Sequence, residues 1–312
     1  MVACVLLCPG QGAQRVGMGR DVAEQFPAAR EVFEAVDEAL GVSLSRLMWE
    51  GPEAELTLTH NAQPAILAHS LAAFAAARDV LAPRLGVGHS LGEYSAYAAA
   101  DTLDLADAAR LVRKRGEFML EAGRARAGTM AAVMGLTAEQ VVGFCAEAST
   151  PDEVVVAANL NAPGQVVISG DPPAVERASR LLAEGGAQRV LQLKVSGAFH
   201  SPLMQPAQDR LRAALADLPM RQARFPVIAN VTAEPTTAAE VARGLLGDQV
   251  TSPVRWVESI QRARHEVARD VPFIEVGPGS VLSGLLRRID RAAMSVALGT
   301  AEQLTAFLEQ YG

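Results

Sequence analysis

Short apolar runs that end in glycine alternate along the chain with longer stretches of helical spacing. Ala3–Cys8 is an unbroken apolar run closed by Pro9-Gly10-Gln11-Gly12-Ala13-Gln14, the pattern of a buried parallel strand entering a tight loop. Apolar positions spaced near 3.6 residues predict helices over Ala28–Leu40 and Ala62–Leu81. Leu85-Gly86-Val87-Gly88 reads as a second short strand, and Leu91–Ala100 as the helix directly after it. Asp104 is placed to cap a helix over Leu105–Glu121.

The middle of the chain has a different rhythm. Thr129–Met134 reads as a strand, and Thr137-Ala138-Glu139-Gln140 is a capping box opening a helix to about Ala148. Val154–Ala158 and Gln165–Ser169 read as strands joined by an Asn161-Ala162-Pro163-Gly164 turn. Asp171 is placed to cap a helix from Pro172 to about Glu184 that stops at Gly185-Gly186. Arg189–Leu193 closes the segment as a strand. The order β-α-β-β-α-β is that of a ferredoxin-like unit. Residues of about 127–195 are therefore expected to form a small subdomain inserted into a larger domain made of 1–126 and 196–312.

Strand–helix alternation resumes afterwards. Helices are expected at Pro206–Ala216, Ala238–Leu246 and Val257–Ala268, and strands at Val227–Ala229, Phe273–Val276 and Ser295–Leu298. The fold class that follows is α/β: a hydrolase-like, mainly parallel sheet covered on both faces, with an inserted ferredoxin-like α+β subdomain.

Composition narrows the function classes. The 312 residues are 50% hydrophobic and 20% charged, which excludes a disordered chain. The net charge of −7, with no basic run, argues against nucleic-acid binding. Lys114 and Lys194 are the only lysines, so a single functional arginine is hidden among many. Cys4, Cys8 and Cys145 are odd in number and form no CxxC, against a disulfide framework or a zinc site. The apolar start lacks a cationic leader, and Ile66–Ala77 is too short to span a bilayer. The expectation is a cytoplasmic protein without membrane contact.

Gly88-His89-Ser90-Leu91-Gly92 is a G-x-S-x-G lying between an expected strand and an expected helix, where a nucleophile elbow must sit. Chance alone yields about 0.1 such string in a chain of this composition, so the context carries more weight than the string. A plain strand–helix turn with Ser90 as a cap is the weaker alternative. A serine nucleophile needs a base. Of five histidines, His89 adjoins Ser90 and would point to the other side of the turn; His60 and His69 read as packed or solvated; His265 lies among Arg262, Arg264 and Glu266. His200 lies in a loop after a strand, where catalytic groups gather in open α/β sheets, and is the best candidate.

With these residues in place, the chain resembles the malonyl-CoA:acyl carrier protein transacylases, the acyltransferases of fatty acid and polyketide synthesis. The strings that carry the resemblance run in the family's order from end to end. They are Pro9–Gln14, Ala62-Gln63-Pro64-Ala65, Gly88–Tyr94 (GHSLGEY), Arg115-Gly116 and Asn161-Ala162-Pro163-Gly164-Gln165. Ala198-Phe199-His200-Ser201, Ser252-Pro253-Val254-Arg255-Trp256 and Glu275-Val276-Gly277-Pro278-Gly279 complete them. The resemblance implies Ser90 as nucleophile, His200 as general base and acid, and the backbone carbonyl of Gln249 as the group orienting the imidazole. It implies an oxyanion hole from the N–H groups of Gln11 and Leu91. Arg115 would pair with the malonyl carboxylate, which suits guanidinium better than ammonium. Without the resemblance, Arg115 would read as a surface cation beside Arg113 and Lys114. Gln63 and Asn161 would line the pocket, and Phe199 would fill the space that an α-methyl group needs. The implied substrate is the CoA thioester, the partner an acyl carrier protein bearing phosphopantetheine, and no cofactor or metal is implied. Gly197, where the malonyl-selective relatives often carry His, and Asp101-Thr102-Leu103 depart from the pattern.

Two rival classes stand beside this one. An esterase or thioesterase would share the elbow, but the chain has neither an HGGG-type loop nor a distinctive acid in the order Ser…Asp/Glu…His. A carrier-protein docking module would have no use for Ser90 and His200. No G-x-G-x-x-G forms, against a dinucleotide site.

Overall fold

A computed structural model describes residues 1–312. The ten strands are β1 (Val2–Cys8), β2 (Leu81–Gly88), β3 (Thr129–Met134), β4 (Val155–Ala162), β5 (Gln165–Gly170), β6 (Arg189–Gln192), β7 (Val227–Ile228), β8 (Pro235–Thr236), β9 (Phe273–Val276) and β10 (Ser295–Leu298). They form two sheets. The larger has the order β10-β9-β1-β2-β7-β8. Five of its strands are parallel, and β8 closes the edge as an antiparallel hairpin with β7.

The unbroken apolar run of β1 has a direct cause: it is the strand between β9 and β2, and Cys4–Cys8 are buried on both faces. Its register aligns Cys8 with Gly88, so the loops after β1 and β2 leave the sheet side by side at its carboxyl edge. The Thr59–Ala77 and Leu91–Ala99 helices are buried almost all round, so neither needs a polar stripe.

The smaller sheet has the order β4-β5-β3-β6, entirely antiparallel. This is the ferredoxin-like arrangement expected from the β-α-β-β-α-β order. Alternation decides its two faces. Ala131, Val133, Val166 and Ile168 pack with the Ala138–Ala148 and Pro172–Glu184 helices into one core. Met130 and Val167 point the other way, into the main core and a cleft. Strand β4 is stitched to the larger unit by hydrogen bonds between Leu160 N–H and the Val254 carbonyl (2.9 Å) and between Val254 N–H and the Ala158 carbonyl (2.8 Å). The uncovered face of the small sheet thereby closes over the carboxyl edge of the large one.

Several local expectations need correction. The helix expected over Ala62–Leu81 spans Thr59–Ala77, and Leu81 already belongs to β2, paired with Val2. Asp104 and Asp171 stand at N-cap positions without capping: Asp104 pairs with Arg221, and Asp171 with Arg126 and the Val154 N–H. Each carboxylate is turned toward a guanidinium and away from the helix N–H groups. Asn161 and Ala162 belong to β4, leaving Pro163-Gly164 as the turn. Helices at Arg20–Gln25, Leu44–Glu50, Glu53–Leu56, Val281–Ile289 and Ala301–Tyr311 were not anticipated. The capping box at Thr137 is present in both directions, Thr137 N–H to Gln140 Oε1 and Gln140 N–H to Thr137 Oγ1.

Candidate active site

The turn from β2 into the Leu91–Ala99 helix holds Ser90 at φ 53°, ψ −109°, a conformation L-residues rarely adopt. Glycine makes the turn feasible. A β-carbon at Gly88 would collide with the Gly92 backbone, and one at Gly92 with the carbonyl of Cys8. Asn230, fully buried after β7, grips the turn from behind. Its Oδ1 accepts the Ser90 N–H (2.7 Å) and its Nδ2 donates to the Gly88 carbonyl (2.7 Å). The Ser90 hydroxyl is thereby aimed into a cleft of about 530 Å³ between the two sheets.

His200 meets it there, 2.8 Å from Nε2 to Ser90 Oγ. Its Nδ1 faces two backbone carbonyls, Gln249 at 2.9 Å and Ser252 at 3.1 Å. Carbonyls only accept, so Nδ1 carries the proton and Nε2 presents a lone pair to the serine. The Gln249 carbonyl is the one the resemblance implied; the Ser252 carbonyl was missed. Burial, reinforced by the positive charge of Arg115, pushes the imidazole down to about 3, so it is unprotonated at physiological pH with its Nε2 lone pair free.

Arg115 is an interior cation, 1% exposed. Its Nη1 donates to Gln63 Oε1 (2.6 Å) and its Nη2 to Gln249 Oε1 (2.9 Å) and Ser90 Oγ (3.1 Å). The Tyr94 ring lies 5.2 Å away. None of its hydrogen-bond partners is a carboxylate, so a buried positive charge stands beside the nucleophile without an ion-pair partner of its own. Such a charge is costly unless something anionic visits it.

Gln11 and Leu91 both line the cleft. Gln11 follows β1, and its N–H makes no hydrogen bond within the chain. Leu91 is the first residue of its helix, so its N–H has no intrahelical acceptor. Phe199 lines the wall next to His200. Asn161 also lines the cleft and holds His89, its Oδ1 2.8 Å from Nε2. His89, its ring also tilted against Trp256 at 5.4 Å, is part of the wall and not behind the turn as expected. Gln63 does not line the cleft; it supports Arg115 from beneath. Of the other histidines, His69 is buried against the Gly299 carbonyl. No three His, Cys, Asp or Glu side chains converge to hold a metal ion, and no helix is long and apolar enough to cross a membrane.

An elbow serine, a neutral imidazole and a buried guanidinium at the carboxyl edge of a parallel sheet define an acyltransferase, and its ferredoxin-like insert narrows the class further. The acyl transferase domain family matches residues 5–303. The malonyl CoA-acyl carrier protein transacylase of Bacillus subtilis (strain 168) is 45% identical over 306 residues, covering 97% of this chain and 96% of that one. The crystal structure of malonyl-CoA:acyl carrier protein transacylase from Xanthomonas oryzae pv. oryzae superposes with a TM-score of 0.94 at 40% identity, over 99% of this chain and 98% of the other. A malonyl-transacylase solved in complex with its type II PKS acyl-carrier protein gives 0.93 at 38% identity, over 99% and 100%. The chain belongs to the acyl transferase family, in its malonyl CoA-acyl carrier protein transacylase branch.

Proposed function

We propose that this protein moves a malonyl group from malonyl-CoA to the phosphopantetheine thiol of an acyl carrier protein through a covalent Ser90 intermediate. The observation that carries this reading is the convergence on one oxygen: Ser90 Oγ lies 2.8 Å from His200 Nε2 and 3.1 Å from Arg115 Nη2.

Ser90 Oγ attacks the thioester carbonyl while its proton passes to His200 Nε2. The resulting oxyanion is received by the Gln11 and Leu91 N–H groups, and each such donor is typically worth about 100- to 1,000-fold in rate. The Ser90 N–H, already bound to Asn230, is not available for this role. The C–S bond breaks, the imidazolium returns its proton to the departing CoA thiolate, and malonyl-Ser90 remains. The carrier's thiol then gives its proton to His200, its sulfur attacks the serine ester, and Ser90 recovers the proton. Throughout, the malonyl carboxylate neutralises Arg115.

The test is intact-protein mass spectrometry after incubation with malonyl-CoA. One malonyl group should be added to the parent and none to Ser90→Ala, and addition of holo carrier protein should discharge it. Stoichiometric labelling of Ser90→Ala would sink the assignment.

A further inference from the structure

Glu93 has no place in the steps above, yet it is fully buried beneath the reacting groups. It sits one turn into the elbow helix, its own N–H bonded to the Ser90 carbonyl at 3.0 Å. One carboxyl oxygen, Oε2, accepts from Gln249 Nε2 (2.6 Å) and from the Asn230 N–H (3.0 Å). The other, Oε1, has no partner. The two groups it holds are the ones that arrange the site. Asn230 clamps the strained Ser90 turn. Gln249 offers its side-chain oxygen to Arg115 and its main-chain carbonyl to His200.

A side-chain amide has two chemically opposite ends that differ little in shape. Gln249 donates from Nε2 to both the Ser90 carbonyl and Glu93, and this fixes Oε1 toward Arg115. Without an acceptor at residue 93, the amide loses its stronger reason to keep that orientation. Turned over, it would present an NH2 to a guanidinium, donor against donor. We infer that Glu93 is a positioning residue for malonyl recognition: it holds the Gln249 amide in the one orientation that aims Arg115 at the substrate carboxylate.

This rests on the proposed role of Arg115, so the experiment carries Arg115→Ala as its reference. The readout is the ratio of kcat/KM for malonyl-CoA to that for acetyl-CoA. Glu93→Met keeps the volume and removes the acceptor. It should lower the ratio by about tenfold or more, the expected scale for leaving buried donors unpaired, with KM for malonyl-CoA rising. Glu93→Gln, which can still present an oxygen to Gln249 and Asn230, should restore most of the ratio. Gln249→Met, with Glu93 intact and the main-chain carbonyl kept, should reproduce the same loss, and it decides the matter if Glu93→Met does not fold. A fall in both substrates by the same factor, or a ratio in Glu93→Met equal to the parent's while Arg115→Ala shifts it, overturns the inference. An unchanged ratio in Arg115→Ala overturns the reading beneath it and this inference together.

Discussion

Arg115 donates to the hydroxyl oxygen of Ser90 at 3.1 Å, although Ser90 stands in the elbow turn and Arg115 on a helix 25 residues further along the chain. The same oxygen lies within reach of His200 Nε2, so the serine proton points to the imidazole and a lone pair to the guanidinium. The cation therefore serves the nucleophile when the cleft is empty and is available to a carboxylate when it is filled. A lysine could not divide its donors this way, because a single ammonium cannot hold two acceptors in a fixed plane.

Arg115→Ala is accordingly expected to cost about 2–5 kcal/mol in kcat/KM for malonyl-CoA, the usual penalty for leaving a buried charge without its partner. Acetyl-CoA, which brings no carboxylate, should be affected far less. Arg115→Lys should recover only part of the malonyl rate. Equal losses for the two CoA esters would return Arg115 to a purely structural role.

The pH dependence of acylation should lack the usual histidine limb. His200 is pushed down to about 3, first by burial and then by Arg115. The base therefore stays unprotonated as pH falls through the ordinary histidine range, and kcat/KM reports the free enzyme. Glu93, which burial raises to about 7, is the one nearby group poised to titrate there. An inflection near 6.5 that persists in Glu93→Gln would show His200 titrating normally. Replacing the base altogether, in His200→Ala, should slow acylation by about 100- to 10,000-fold.

Most of the site was legible because its signals are local. Gly88 and Gly92 stand where a β-carbon would strike backbone, so sequence alone had to spell the turn. Gln165–Ser169 was legible as a strand, but that Val166 and Ile168 face one core and Val167 the cleft is seen only in the fold. Asn230 and Glu93 were missed because their roles exist only after β7 has been laid beside β2 and the elbow helix packed behind them. A polar residue ending a parallel strand was the available signal for Asn230; it was applied instead to the loop holding His200, which leaves β6 of the antiparallel sheet. Asp104 and Asp171 misled for the complementary reason: their cap positions are local, while the arginines that claim them are 117 and 45 residues away.

Gly92→Ala is expected to be among the most destabilising single changes. Its β-carbon would occupy the space of the Cys8 carbonyl, which β1 cannot yield because its neighbours pair on both sides. Overpacking of this kind costs about 3 kcal/mol or more when backbone must move. Denaturant unfolding measures it, and a stability within about 1 kcal/mol of the parent would show that the elbow can relax.

Acid should unfold the protein through its buried histidines. His69 is lowered to about 4 and His200 to about 3, both chiefly by burial, from an ordinary 6.5. As pH falls below 6.5 the unfolded chain takes up protons that the folded one refuses, so stability is lost in that direction. Glu93 works oppositely. Raised from 4.5 to about 7, its contribution is complete below 4.5 and fades as pH rises toward 7. The two trends partly cancel between 4.5 and 6.5, the melting temperature should drop most steeply between about 4.5 and 4, and below 4 only His200 goes on to weaken the fold. His69→Gln, whose amide can still donate to the Gly299 carbonyl, should flatten the fall between 6.5 and 4; an equally steep fall there would remove His69 from the account.

Phe199 should make the cleft prefer malonyl-CoA over methylmalonyl-CoA. The residue directly precedes His200 and lines the wall of the cleft, only 7% exposed, so the expectation is that its ring borders an acyl group carried on Ser90. The ring belongs to the main apolar core, which backs it. A methyl branch on the substrate would have to displace it against that backing. One methyl group in a packed pocket is worth about 1–3 kcal/mol, a discrimination of roughly 10- to 200-fold. Phe199→Ala should erode it chiefly by admitting methylmalonyl-CoA, with malonyl transfer changed less. Competition between the two esters at equal concentration, read by mass on Ser90, separates these outcomes. Equal labelling by the parent protein would mean that the ring does not border the α-carbon, and a preference surviving in Phe199→Ala would move the selectivity to another wall of the cleft.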